Sequence, residues 1–469
     1  SDDGCGATPR RRGWTWHWGV TLYAVACVGC GDAASDMSPP ADTRTVQPPP
    51  ARLRRLSSRE YNNVVRDLLG DTSRPADRFV VDSYQNGYGN GSAGLVVQAD
   101  QAMDYARAAE ALAQTAVASR LGRLLDGCSL ATQGPDACLS AFLHGLAARA
   151  FRRPLHESEE ARLRALFQTE IAGPDGFSGA ISTLLEVILQ SPQFLYREEL
   201  GARNADGAIA GDAAAARTVE LSDYEVASEL SFLLTGSLPD ATLWTAVGQG
   251  RFHTAADRRR EASRLLATPA ARESLRTFLH AWLGTDALSD LSKDKSFYPT
   301  FTASLSASMR GELDRYYDAR TWGDRGSLRD LFTSPQSYVD RSLADLYGVA
   351  VPTDTDGAGF GRSTLDATVR PGILGRAGFL AVHAATDSSG PVSRGVYVLQ
   401  SILCMPPPQP PASVPPVVPA SDPMAAGLTT RQRFERHVAD PFCRGCHARI
   451  DGVGFGFEQF DGIGAFRTQ

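Results

Sequence analysis

Cys443-Arg444-Gly445-Cys446-His447 sets two thiols three positions apart and an imidazole directly after the second. On a helical turn these three side chains fall on one side. From there both sulfurs can form thioethers with the vinyl groups of a haem while the imidazole binds the iron, and C-x-x-C-H is the attachment signature of haem c. With 8 Cys and 8 His in 469 residues, chance produces the pattern in about two of every thousand such chains. Three other chemistries fit the same residues: a zinc site, a redox pair of thiols, and a coincidental grouping. The spacing predicts one haem c, held by Cys443 and Cys446, with His447 as proximal iron ligand. Such a centre carries electrons if a second strong ligand fills the sixth position, and supports peroxide or oxygen chemistry if that position stays open. Neither Met nor His follows His447. A distal ligand must come from elsewhere, and His437, Met405 and Met424 are the candidates. His437 reads equally well as a helix-terminal histidine bonded locally, and His383, after an apolar segment, reads as a core histidine.

Around the motif, Phe455, Phe457, Phe460 and Phe466 offer an apolar wall suited to a porphyrin or to a small core. Arg444, Arg449 and Arg467 are able to pair with propionates or to stay solvated. Asp451, Glu458 and Asp461 read as turn-organising carboxylates ahead of metal ligands. Elsewhere the chemistry is thin. Ser57, Ser222 and Ser393 occupy cap or turn contexts, and no phosphate loop, dinucleotide fingerprint or H-E-x-x-H occurs. The polar-aromatic run Tyr84–Asn90 reads as a surface loop.

The elements that position these residues are helices, and the fold class is mainly α: a multi-helix body with a small C-terminal helical segment. Ser57 and Glu60 make a capping box for a helix that Gly70 ends. The grammar recurs at Leu221-Ser222-Asp-Tyr-Glu225 and, more loosely, from Leu155 with Glu159; convergence accounts for it more simply than duplication. Further periodic segments lie at 98–125, 138–151, 177–196, 258–267, 271–284 and 304–319, and alternating strand patterns are scarce. Residues 351–370 read as a loop, and Ser393-Arg394-Gly395 as the opening of a helix. Nine prolines between Pro406 and Pro423 read as an extended spacer that sets a C-terminal cap apart from the body. In that cap, Thr429 and Gln432 form another capping box. The expected organisation is 1–30 signal, 31–50 linker, then helical units at 51–125, 126–200, 215–350 and 371–404. A Pro-rich linker at 405–426 and the haem c-binding segment at 427–469 complete it.

At the N-terminus, Arg10-Arg11-Arg12 precedes an apolar stretch, Val20 to Gly29, and then Cys30. That order predicts an export signal of bacterial lipoprotein type, with Cys30 as the acylated residue and Cys27 as the competing site. The protein is expected in the periplasm or on the outer membrane or cell surface, tethered by lipid alone, since the body has no 18-residue apolar run. An oxidising compartment suits a Cys128–Cys138 disulfide across a Gly-Pro-Asp turn; Cys404 is left over. A net charge of −6 gives no electrostatic basis for binding nucleic acid.

These stretches together resemble the large secreted proteins of planctomycetes and myxobacteria that are built from several domains of unknown function and end in a cytochrome-c-like segment. Arg55–Gly70, Phe151-Arg-Arg-Pro-Leu155, Leu221–Leu234 and Pro391-Val-Ser-Arg-Gly395 carry the resemblance. The most specific stretch is His437-x5-Cys443-Arg-Gly-Cys-His447-x3-Asp451-x2-Gly-Phe455-x2-Glu458-x-Phe460-Asp461-x2-Gly464-x2-Arg467. The resemblance implies a helical, exported protein with covalent haem and no established reaction. It also implies a further small helical domain after the Arg467 position, which makes this sequence a short or truncated member. Electron transfer to a redox partner protein or small molecule is the expected role. A haem enzyme of peroxidase or oxidative type is the first alternative, and a surface-binding protein with a zinc or disulfide staple at C-x-x-C-H the second.

Overall fold

Helix α1, Ser58–Leu69, starts where Ser57 N–H donates to Glu60 Oε2 (2.8 Å) and Glu60 N–H to Ser57 Oγ (3.3 Å), the two bonds of a capping box. It ends at Gly70, whose φ of 75° is left-handed. The same construction opens α6, Asp223–Thr235, from Ser222 and Glu225 and closes it at Gly236. These belong to a computed structural model, which describes residues 53–84, 87–92, 94–201, 219–322, 326–408, 427–433 and 441–468. The protein is mainly α, as its periodicity predicts.

Between α1 and α6 lie α2 (Ala99–Leu124), α3 (Leu130–Phe142), α4 (Glu157–Glu170) and α5 (Gly176–Gln190). Ala108, Ala109, Ala113 and Ala116 on α2 let it approach α5 closely, and Ile181, Leu184, Leu185 and Ile188 fill the seam. Tyr61, Val64 and Leu68 of α1 complete this first core. Cys128 and Cys138 form a disulfide with Cα atoms 5.3 Å apart. Helices α7 (Ala241–Gly248) and α8 (Ala255–Leu266) close a small core on α6 through Leu243, Val247 and Leu265.

The second large core gathers α9 (Pro269–Trp282), α10 (Ala303–Thr321), α11 (Leu328–Thr333), α12 (Arg341–Tyr347), α13 (Ala377–Val382), α14 (Pro391–Tyr397) and α15 (Pro441–Gly454). Leu279, Met309, Leu313, Tyr317, Phe379 and Ile463 are buried at its centre. Three sequence expectations need correction here. Residues 351–370 are not all loop, because Gly361–Thr364 pairs antiparallel with Gln336–Val339; four-residue strands separated by a helix are too short to show alternation. Helix α14 begins at Pro391 rather than Ser393, since Pro at the first helical position gives up an N–H that has no partner there anyway. The cap is also not set apart from the body. Ile463, Val453 and Phe457 pack in the second core with residues 279–402, and Pro50–Gln469 form one compact unit.

Three buried arginines hold irregular backbone in place. Arg152 donates to the carbonyls of Ala150, Gln193, Phe194 and Tyr196. Arg376 serves those of Ser334, Gln336 and Arg370. Arg394 serves those of Leu380, Phe457, Phe460 and Asp461. Burial pulls Arg152 and Arg394 down to about 10, so both stay charged at neutral pH. Five fixed donors satisfy several carbonyls that no helix or sheet can reach. Among the described residues no helix is long and apolar enough to cross a membrane.

Candidate functional site

Cys443, Cys446 and His447 occupy the first half of α15 and are partly buried, and both thiols are free. Helical spacing aligns Cys443, His447, Ile450 and Gly454 along one stripe. Ile450 and Gly454 at its far end are buried against the body, while Arg444, Gly445, Ala448, Arg449 and Gly452 face outward. The three cofactor-type side chains therefore lie on the body-facing side of the helix.

What seats α15 is α14. A Cβ on Gly395 would stand 2.4 Å from Ile450 O, and one on Gly454 2.1 Å from Pro391 O. The two backbones touch, and only glycine permits it at both points. Arg394, the residue before Gly395, then bonds the turn that follows α15. Within that turn Asp461 Oδ1 accepts from the amides of Ile463 (2.9 Å) and Ala465 (2.8 Å). Arg467 pairs with Glu458 (2.9 Å). Asp461 and Glu458 thus organise the turn.

Asp451 does something else. It sits inside α15, one turn after His447, and its Oδ1 accepts from His447 Nδ1 at 3.0 Å. Its residue is 5% exposed, and Oδ2 is buried without a hydrogen-bond partner. A carboxylate on Nδ1 fixes the tautomer and presents Nε2 as the basic nitrogen, the arrangement that metal-binding histidines use. Two free thiols at i and i+3, an oriented imidazole beside the second and a helix locked to the core form a donor set that fits covalent haem c. Asp451 was legible as a carboxylate near the motif, but its i,i+4 relation to His447 went unread.

The other sequence-derived candidates separate. His437 and Met424 lie outside the described residues, as do Cys27 and Cys30. Met405 is 54% exposed, and its N–H donates to Leu399 O in the π-helical turn Val398–Ile402, which packs against α15. With the exposed Leu403 it offers apolar surface beside the C-x-x-C-H helix. Cys404 between them is an exposed free thiol. His383 is a core residue: Nε2 donates to Leu283 O (2.9 Å), its ring lies 3.7 Å from that of Tyr397, and burial pushes it down to about 4.

A second constellation joins residues scattered along the chain, at spacings that no short motif marks. His280 bonds Asp314 through Nε2 and Thr285 through Nδ1, both at 2.8 Å, and Thr285 Oγ1 lies 3.2 Å from Tyr317 OH. Thr285 is wholly buried and His280 nearly so, while Asp314 at the end of the chain is half-buried, and the chain braces the second core. A cleft of about 290 Å³ lies between residues 151–156 and the start of α6. Its charged walls are already paired, Arg153 with Glu159 and Glu198, and Glu225 with the amides of Leu200 and Gly201. Among the described residues no three His, Cys, Asp or Glu gather as a metal site.

Four family models match the chain. PSD3, a protein of unknown function (DUF1587), matches 54–118, and PSD5, a protein of unknown function (DUF1595), matches 138–199. PSD4, a protein of unknown function (DUF1592), matches 221–349, and PSCyt3, a protein of unknown function (DUF1588), matches 370–469. PSD3, PSD5 and PSD4 each cover one of the stretches that carry the resemblance described above, and PSCyt3 covers two. No curated protein and no solved structure matches. The PSCyt3 region runs across the proline-rich stretch and takes in α13, α14 and α15. Its first residue, Arg370, donates to Gly464 O (2.7 Å), tying that region's two ends together.

Proposed function

We propose that the protein is an exported carrier of one covalent haem c, bound by Cys443 and Cys446 with His447 as an axial ligand, and that it exchanges single electrons with a redox partner. The observation that supports this most is the His447–Asp451 bond on a helix bearing two free thiols. The name of the PSCyt3 model, which matches this region, points the same way. When bound, the haem supplies an iron that cycles between ferrous and ferric states. The chain's own residues do the rest. The thiols anchor, Asp451 orients the imidazole, and the glycine contact between α14 and α15 keeps the helix from shifting. Met405 is the described candidate for the second axial position. Cys30, or Cys27, would carry the lipid that tethers the protein at the periplasmic or outer surface, and nucleic acid is no partner.

The carboxylate on His447 also sustains the second reading, a haem enzyme with an open sixth position, because a more basic axial histidine favours oxidised iron. The full chain, made in a periplasm that matures c-type cytochromes, distinguishes them. An electron carrier shows a Soret band and a low-spin spectrum indifferent to carbon monoxide and peroxide. A spectrum that responds to either ligand selects the enzyme, and a colourless protein rejects both.

A further inference from the structure

We infer that Asp451 is a positioning residue that sets the reduction potential of the centre, holding the iron toward its ferric state. This rests on the haem reading above and goes beyond it. The imidazole of His447 donates Nδ1–H to a full carboxylate at 3.0 Å, and among the described residues His447 is that carboxylate's one hydrogen-bond or ion-pair partner. With Oδ2 buried and unpartnered, no second donor draws charge away from the imidazole. At 5% exposure water does not screen it, and a bond to an ionised acceptor is roughly twice as strong as one to a neutral carbonyl. The geometry is also fixed. Ile450 and Gly454, on either side of Asp451, are the residues whose backbone meets Gly395 and Pro391 of α14.

An anionic acceptor on the far nitrogen makes the near one a stronger donor and adds negative charge close to the iron. Both effects stabilise the ferric over the ferrous form, in which the iron holds one more electron taken from an external one-electron donor. Asp451 thus biases the centre toward giving that electron up, which suits a low-potential donor to an acceptor protein.

The test is the midpoint potential of the haem-loaded full chain and of its Asp451→Asn variant, which keeps the shape and removes the charge. The expected result is at least a tenfold shift toward the ferrous form, about 59 mV upward for one electron. Asp451→Glu, which restores a carboxylate, is expected to return the potential toward the starting value. A haem-loaded Asp451→Asn protein with unchanged potential overturns the inference while leaving the haem reading intact. A chain that takes up no haem overturns both. Should Asp451→Asn fail to fold, nitrogen NMR on the Cys443→Ala/Cys446→Ala chain decides. A proton on Nδ1 of His447 supports the inference and a proton on Nε2 overturns it.

Discussion

At the scale of single residues, cations buried against carbonyls do much of the structural work. Arg394 bonds four carbonyls from two separate segments, so Arg394→Met leaves all four without that donor. We expect a loss of about 3–5 kcal/mol, read as a lower denaturant midpoint. The motifs Phe151-Arg-Arg-Pro-Leu155 and Pro391-Val-Ser-Arg-Gly395 were visible in the sequence, but this role was not. Arg152 reaches carbonyls some forty positions away and Arg394 some sixty-five, at distances no short pattern encodes. His383 supplies a pH dependence. Its folded value of about 4 lies below its ordinary 6.5, so on acidification the unfolded chain takes up a proton first. Stability therefore falls as pH drops from about 6.5 to 4, by at most about 3 kcal/mol from this residue. His383→Gln should flatten that part of a pH-dependent unfolding series.

At the scale of elements, the crossing of α14 and α15 turns on two glycines. Gly454→Ala places a methyl 2.1 Å from Pro391 O, and overpacking of this kind costs about 1–3 kcal/mol. Two positions earlier on the same helix, a Cβ on Gly452 meets nothing within 4 Å. Gly452→Ala should instead stabilise by about 0.5–1 kcal/mol through helix propensity. Opposite signs from the same substitution, measured by chemical unfolding, would establish the crossing. Helices opened by Ser57 with Glu60 and by Ser222 with Glu225 were legible because a cap is a local signal. The α14–α15 contact was not, because a glycine chosen for close approach looks in sequence like any other.

At the scale of the whole molecule, the C-x-x-C-H helix belongs to the second core. Arg370 and Arg394 bond the backbone around 457–464, and Ile463 is buried beside Phe379 and Leu313. A chain ending at residue 404 would expose that core and strip Arg370 of Gly464 O and Arg394 of three of its four carbonyls. We expect such a chain to lose hydrogen-exchange protection in α10 and α13 while α1, α2 and α5, in the first core, retain theirs. The helix that carries Cys443, Cys446 and His447 is held by the body rather than tethered beyond it, a relation hidden in sequence by the proline run between them. The most direct test of a covalent haem at this helix is the intact mass of the full chain made with cytochrome c maturation. The predicted result is the added mass of one haem, retained on denaturation and absent from the Cys443→Ala/Cys446→Ala variant. A folded chain with no added mass, or one whose haem survives loss of both thiols, would contradict it.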